Sequence, residues 1–174
     1  MNQGDSAYSD VLNSVGVITK EHENGLEAIA TKVVKGGDFD FNSISDTFLS
    51  LAAVSPLFKE RIKISGIAHT RKQETDRVKA MATELQKLGQ KVIETEDALE
   101  IFPNIDNLRE KASKPLVIET YHDHRFAMSF AILGCFDLFG NGKPWLQIHN
   151  AQCCAKTFPD FFEKLEQVRQ DSHK

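Results

Sequence analysis

The sequence predicts an α/β (α+β) fold in which repeated helix–strand units pack around shared helices. Two internal repeats point to it. Displacing the chain by 73 residues lays Leu12, Gly16, Glu21, Glu23, Leu26 and Glu27 on Leu85, Gly89, Glu94, Glu96, Leu99 and Glu100 without a gap. That is one helix–glycine–hairpin unit used twice. Displacing it by 84 lays Ile64, Lys72 and Asp76 on Ile148, Lys156 and Asp160. That pairs two strand–loop–helix units, each with a lysine where the helix starts.

The elements follow in order. Residues 5–16 read as a helix with Tyr8, Val11, Leu12 and Val15 on one side, stopped at Gly16. Strand-like runs at 17–21 and 26–30 flank Glu23-Asn24-Gly25, and Asn-Gly between such runs is a hairpin signal. Gly36-Gly37 breaks the chain, and Phe39-Asp40-Phe41 alternates like a short strand. Residues 46–58 are apolar at helical spacing and end near Pro56. A strand at 61–67 leads into a helix at 74–88, where Val78, Met81, Ala82, Leu85 and Leu88 make one apolar stripe. Gly89 stands where a left-handed cap is wanted.

A second hairpin follows at 91–94 and 99–102, turning at Glu96-Asp97. Residues 103–115 read as a polar loop containing two prolines. A strand at 116–120 reaches Tyr121-His122-Asp123-His124-Arg125, and a very apolar helix spans 125–137. Asn141-Gly142-Lys143-Pro144 is a turn, a strand at 145–149 reaches Cys153-Cys154-Ala155-Lys156, and a last helix spans 158–169.

Composition excludes several classes. Hydrophobic residues are 41% of the chain, enough for a core and too many for disorder. A net charge of −4 argues against general nucleic-acid binding, so basic residues that matter act locally. No run has the roughly 18 apolar residues of a membrane span, and the first residues are neither a signal nor a transit peptide. Cys135 and the adjacent Cys153 and Cys154 are no disulfide framework; reduced thiols in the cytoplasm are the reading.

Four clusters at strand-to-helix junctions could carry chemistry, because loops on a rigid scaffold often do. Asp46 is either a helix N-cap or a site acid. Arg71, Lys72, Glu74, Asp76 and Arg77 crowd the start of a helix, where cations oppose the dipole unless they face a partner. His122-Asp123-His124-Arg125 contains a His-x-His pair, but no other metal motif accompanies it, and no metal is expected. Lys156 precedes Thr157-Phe158-Pro159-Asp160, and Cys153 and Cys154 read as small packing residues. Together Arg77, Arg125 and Lys156 could bind a small polyanion, and Asp46 and Glu74 could move protons.

Three stretches in order resemble 5-enolpyruvylshikimate-3-phosphate synthases. They are Arg71-Lys72-Gln73-Glu74-Thr75-Asp76-Arg77 with Met81-Ala82-Thr83-Glu84-Leu85, Asp123-His124-Arg125-Phe126-Ala127-Met128, and Ala155-Lys156-Thr157-Phe158-Pro159-Asp160. Gln3-Gly4-Asp5 and Asp46 also fall in the family's order, and the likeness runs from about residue 3 to 169.

The resemblance implies two lobes of repeated β-α-β-α-β-β units with the site in the cleft between them. The chain is then expected to be a C-terminal fragment, most of one lobe, needing a missing N-terminal lobe as partner. Residues 1–37 would be a partial unit, with full units at 38–104 and 105–174. The implied reaction carries the enolpyruvyl group of phosphoenolpyruvate to the 5-hydroxyl of shikimate 3-phosphate, with no cofactor, and the isolated chain is expected to be inactive. Asp46 would take the hydroxyl proton and Glu74 would handle the proton at the enolpyruvyl methylene. Arg77 and Arg125 would hold the carboxylate and Lys156 the phosphate. Gln73 stands where the family has a lysine and His69 where it has an asparagine, so contacts to shikimate 3-phosphate would differ there. Two other readings are a lobe of the related UDP-N-acetylglucosamine enolpyruvyl transferase and a non-catalytic anion-binding module.

Overall fold

A computed structural model of the chain describes residues 7–23, 25–31 and 34–171. Gln3-Gly4-Asp5 and Asn24 of the first turn lie outside the described residues. Helix α1 (Tyr8–Ser14) leads through Gly16 into the hairpin β1 (Val17–His22) and β2 (Gly25–Ala30). β3 (Gly37–Asp40), α2 (Phe48–Val54), β4 (Ile62–Ser65), α3 (Arg77–Lys87), β5 (Lys91–Glu94) and β6 (Ala98–Phe102) follow. The remainder is α4 (Ile105–Lys111), β7 (Leu116–Ile118), α5 (His124–Gly134), β8 (Leu146–Ile148) and α6 (Phe161–Asp171).

The repeats are visible in the backbone. In the first hairpin Glu21 faces Leu26 and Lys20 faces Glu27. Displaced by 73, Glu94 faces Leu99 and Ile93 faces Glu100 in the second. Each hairpin follows a glycine at positive φ, Gly16 at 97° and Gly89 at 79°, which turns the chain from helix into strand at no Cβ cost. Helices α3 and α6 differ by 84 at both ends, and each follows a 3-10 turn, Ala68–Lys72 or Ala151–Lys156.

The environments differ where the partners differ. Leu26 is 52% exposed, whereas Leu99 is fully buried. β6 is paired on both edges, by β4 and β5, in the four-stranded order β3-β4-β6-β5; β2 pairs only with β1 among the described residues. β3 and β4 are parallel, and β4, β6 and β5 are antiparallel neighbours. A third small sheet pairs β7 and β8 in parallel.

The core forms where apolar helix faces meet. α2 packs against both α5 and α3. Phe48, Leu49 and Leu51 of α2, Val78, Met81 and Leu85 of α3, and Phe126, Phe130 and Leu133 of α5 are buried together, with Ile62 and Ile64 of β4 beneath them. Among the described residues no helix is long and apolar enough to cross a membrane.

Four expectations change. The stretch 103–115 is not all loop: Asn104 caps α4 by accepting from the Asn107 N–H at 2.8 Å, and Leu108 is buried. The third helix starts at Arg77 rather than 74, because Asp76 accepts from the Lys79 N–H and so ends the preceding loop. The last helix lies three residues later than expected at its start. Asp46 is not an N-cap; Thr47 occupies that position without a side-chain cap bond, and Asp46 sits in a 3-10 turn, Ser45–Thr47.

Candidate active site

The N-terminal ends of α3 and α5 and the turn before α2 converge, and capping chemistry explains how. Asp123 stands before α5, and its Oδ1 accepts the Arg125 N–H at 2.9 Å. Its other oxygen accepts Arg77 Nε at 2.6 Å. Arg77 is the first residue of α3, and its side chain is only 4% exposed. Burying a charge this deeply is costly unless it is paired. The pairing reaches Asp46, whose Oδ1 accepts Arg77 Nη1 at 2.9 Å and whose Oδ2 accepts Arg125 Nη2 at 2.7 Å. One carboxylate thus joins two guanidinium groups carried by different helices.

Four other residues singled out in the sequence, Gln73, Glu74, Lys156 and His69, lie around this bridge. Gln73 accepts a hydrogen bond from Arg77 Nη1 through Oε1. The next residue, Glu74, accepts from Lys156 Nζ at 3.0 Å. Its second oxygen lies 3.4 Å from His124 Nδ1, outside hydrogen-bond alignment. His69 Nε2 is 2.7 Å from the hydroxyl of Ser45, the neighbour of Asp46. Asp46, His69, Gln73, Glu74, Arg77, Arg125 and Lys156 are therefore linked by hydrogen bonds or chain adjacency, His69 through Ser45. A groove of about 390 Å³ between α5, β8 and α6, lined by Phe130, Cys135, Leu146 and Phe162, contains none of them.

Burial pushes the Glu74 carboxyl upward, but the Lys156 hydrogen bond and the charges of His124, Lys156 and Arg77 outweigh it. The net effect holds Glu74 below the ordinary carboxylate range. Arg71 proves to be structural. Its guanidinium donates to the carbonyls of Thr95 at 2.6 Å and Glu96 at 2.9 Å, and pairs with Asp76 and Glu94. It ties the 3-10 turn to the β5–β6 hairpin.

Asp123, His124 and Ser45 were not singled out individually by the sequence. Asp123 was detectable, since an aspartate just before a strongly apolar helix is an N-cap signature. The His-x-His pair does not converge: His122 Nδ1 lies 2.9 Å from Asn150 Nδ2, while His124 turns to Glu74. Among the described residues the cluster tight enough to hold an ion is Glu74, Asp123 and His124, with ligand atoms within 4.8 Å. Arg77 and Lys156 already neutralise its two carboxylates. Cys154 is buried, and its thiol faces the His124 carbonyl at 3.7 Å. Burial and the neighbouring Cys153 push it up to about 11, as expected of a packing residue.

The model of a family described as EPSP synthase (3-phosphoshikimate 1-carboxyvinyltransferase) matches residues 1–165. A protein of Opitutus terrae named 3-phosphoshikimate 1-carboxyvinyltransferase is 51% identical over 175 residues, covering 98% of this chain and 35% of the relative. One of the same name from Nostoc punctiforme is 40% identical over 166 residues, covering 95% of this chain and 36% of the relative. The chain thus spans about a third of the length of these curated relatives. The solved EPSP synthase of Acinetobacter baumannii shares the fold with a TM-score of 0.72 at 24% identity, covering 97% of this chain and 40% of that one.

Proposed function

The chain belongs to the EPSP synthase family, and from that membership we propose that it supplies one wall of an enolpyruvyl-transfer site. The reaction moves the enolpyruvyl group of phosphoenolpyruvate to the 5-hydroxyl of shikimate 3-phosphate. A new C–O bond forms at the enolpyruvyl carbon, the C–O bond to phosphate breaks, and phosphate leaves. The observation that carries the reading is the bridge of Asp46 between Arg77 and Arg125. A carboxylate in contact with two guanidinium forks supports a reading in which one group accepts a proton and the other two take a carboxylate.

Asp46 takes the proton of the attacking hydroxyl. Arg77 and Arg125 take the phosphoenolpyruvate carboxylate, replacing part of their contact with Asp46. Lys156 binds the phosphate, which draws it from Glu74 and lets that carboxyl handle the proton at the methylene. Gln73, an uncharged hydrogen-bonding group, and His69 face shikimate 3-phosphate. Such groups act by positioning and by stabilising charge that develops in the transition state.

In this reading residues 38–104 and 105–174 are two units of one lobe, 1–37 belong to a third, and the protein works in the cytoplasm. A second, N-terminal lobe closes the cleft and excludes water. The isolated chain then turns over no substrate. The test is phosphate release from phosphoenolpyruvate and shikimate 3-phosphate, measured on the chain alone. A parallel assay uses a chimera in which it replaces the matching segment of the Opitutus terrae relative. Turnover by the chimera only is expected. Robust turnover by the chain alone would overturn the need for a second lobe. An inactive but folded chimera would overturn the activity.

A further inference from the structure

The segment that presents Asp123, His124 and Arg125 is a strained turn. The Asp123 N–H donates to the Thr120 carbonyl at 2.8 Å, and both central residues have positive φ, Tyr121 at 54° and His122 at 60°. This is the hairpin-type turn usually made by Asn-Gly. A tyrosine and a histidine in left-handed conformation are strained and persist only where the surroundings hold them.

Helix α3 does the holding, at two points seven residues apart. At the far end of the turn Arg77 pairs with Asp123. At the near end stands Glu84, a fully buried carboxylate. Its Oε1 accepts the Tyr121 hydroxyl at 2.6 Å, and its Oε2 accepts the Glu119 N–H at 3.2 Å. Both oxygens also accept from Lys87 Nζ, at 2.8 and 2.9 Å, which balances the charge from the solvent side. The Tyr121 ring packs edge-on against Phe126, 5.6 Å away, so hydroxyl and ring are fixed together.

We infer that Glu84 is a positioning residue for the site: by gripping Tyr121 and Glu119 it holds the 120–123 turn in its strained form, which sets Asp123 and, through it, Arg77. The inference rests on the proposed site only for its consequence in ligand binding; the coupling between Glu84 and Arg77 stands apart from any substrate.

The test uses the full chain and three variants. Glu84→Gln keeps the volume but removes the charge and one accepting oxygen from its three donors. Tyr121→Phe removes one hydroxyl. Lys87→Arg keeps the outer charge that balances Glu84. Hydrogen exchange of the buried Arg77 Nε–H, followed by NMR, reports directly on its bond to Asp123. Exchange is expected to quicken ~10-fold or more in Glu84→Gln and Tyr121→Phe, about one hydrogen bond's worth of free energy, and to stay unchanged in Lys87→Arg. Phosphoenolpyruvate affinity falls by a similar factor in the first two. Circular dichroism checks that each variant is folded, and Tyr121→Phe carries the test if Glu84→Gln is not. Unchanged Arg77 exchange in a folded Tyr121→Phe or Glu84→Gln variant overturns the inference, as does equal quickening in Lys87→Arg. A parent chain that binds no phosphoenolpyruvate counts against the proposed function alone, because the exchange measurement still decides the role of Glu84.

Discussion

Arg77 and Asp123 form a buried ion pair, 2.6 Å from Nε to Oδ2, with side chains 4% and 0% exposed. Breaking such a pair from one side strands the other charge. Asp123→Ala should therefore destabilise the chain by about 3–5 kcal/mol, the lost cap on α5 included. The double change Arg77→Met with Asp123→Ala should cost less than the sum of the single changes. Urea denaturation of the four chains measures this, and additive single costs would count against a coupled pair.

Asp46 competes with any anion for Arg77 and Arg125. Asp46→Ala should tighten phosphoenolpyruvate binding by the isolated chain, roughly 3–10-fold, since a carboxylate leaves a shared cationic site. In the chimera the same change should lower turnover by ~10²–10⁴-fold, the usual loss with a general base. Titration calorimetry and the phosphate assay check the two halves separately. Weaker binding together with lower turnover would show that Asp46 is needed to seat the arginines.

The Glu74 carboxyl lies below its ordinary range, held there by Lys156 and its neighbours against its own burial. A folded-state value below the unfolded one means that the unfolded chain takes up the proton first. The contribution to stability is therefore present above the unfolded value and is lost as the pH falls through the folded one. Lys156→Met should raise the Glu74 titration toward the ordinary carboxylate value and flatten the acid side of the stability profile. Carboxyl ¹³C NMR with denaturation at several pH values reads both. A Glu74 titration unmoved in the variant would remove Lys156 as the cause.

Arg71 resembles a ligand-binding arginine in sequence and acts as a strut in the structure. Arg71→Met should cost about 2–3 kcal/mol, from lost charge-assisted bonds to the β5–β6 hairpin. Phosphoenolpyruvate affinity should stay within twofold of the parent, as expected for a residue outside the site. Denaturation and calorimetry on one preparation check this. A large loss of affinity in a folded variant would move Arg71 into the site.

Much of the fold was legible. Strand and helix periods placed every β-strand within a few residues, and the match of Gly16 to Gly89 anticipated two hairpins of equal register. Helix α4 was missed because its apolar signal is short, with Leu108 its one buried residue, and two prolines near it read as loop. The seven residues named from sequence are linked by hydrogen bonds or chain adjacency. Asp123 and His124 stand in a legible motif, but no local signal pairs them: that Asp123 joins the Arg125 N–H to the Arg77 guanidinium depends on how α3 and α5 pack.

The sequence by itself determined the periodic elements, the repeats, the family motifs and the residue types able to handle anions and protons. These signals act over a few residues, through side-chain spacing and local capping, so they survive without knowledge of the fold. Only the tertiary structure decided which charges meet. Arg71 and Arg77 stand six positions apart in one motif, yet one is clamped to a hairpin and the other is buried against Asp123. Asp46 reaches partners 31 and 79 residues away, Arg77 and Arg125. Such pairings arise when packed apolar faces bring helix ends together, and the cost of burying a charge then forces each one to find its partner.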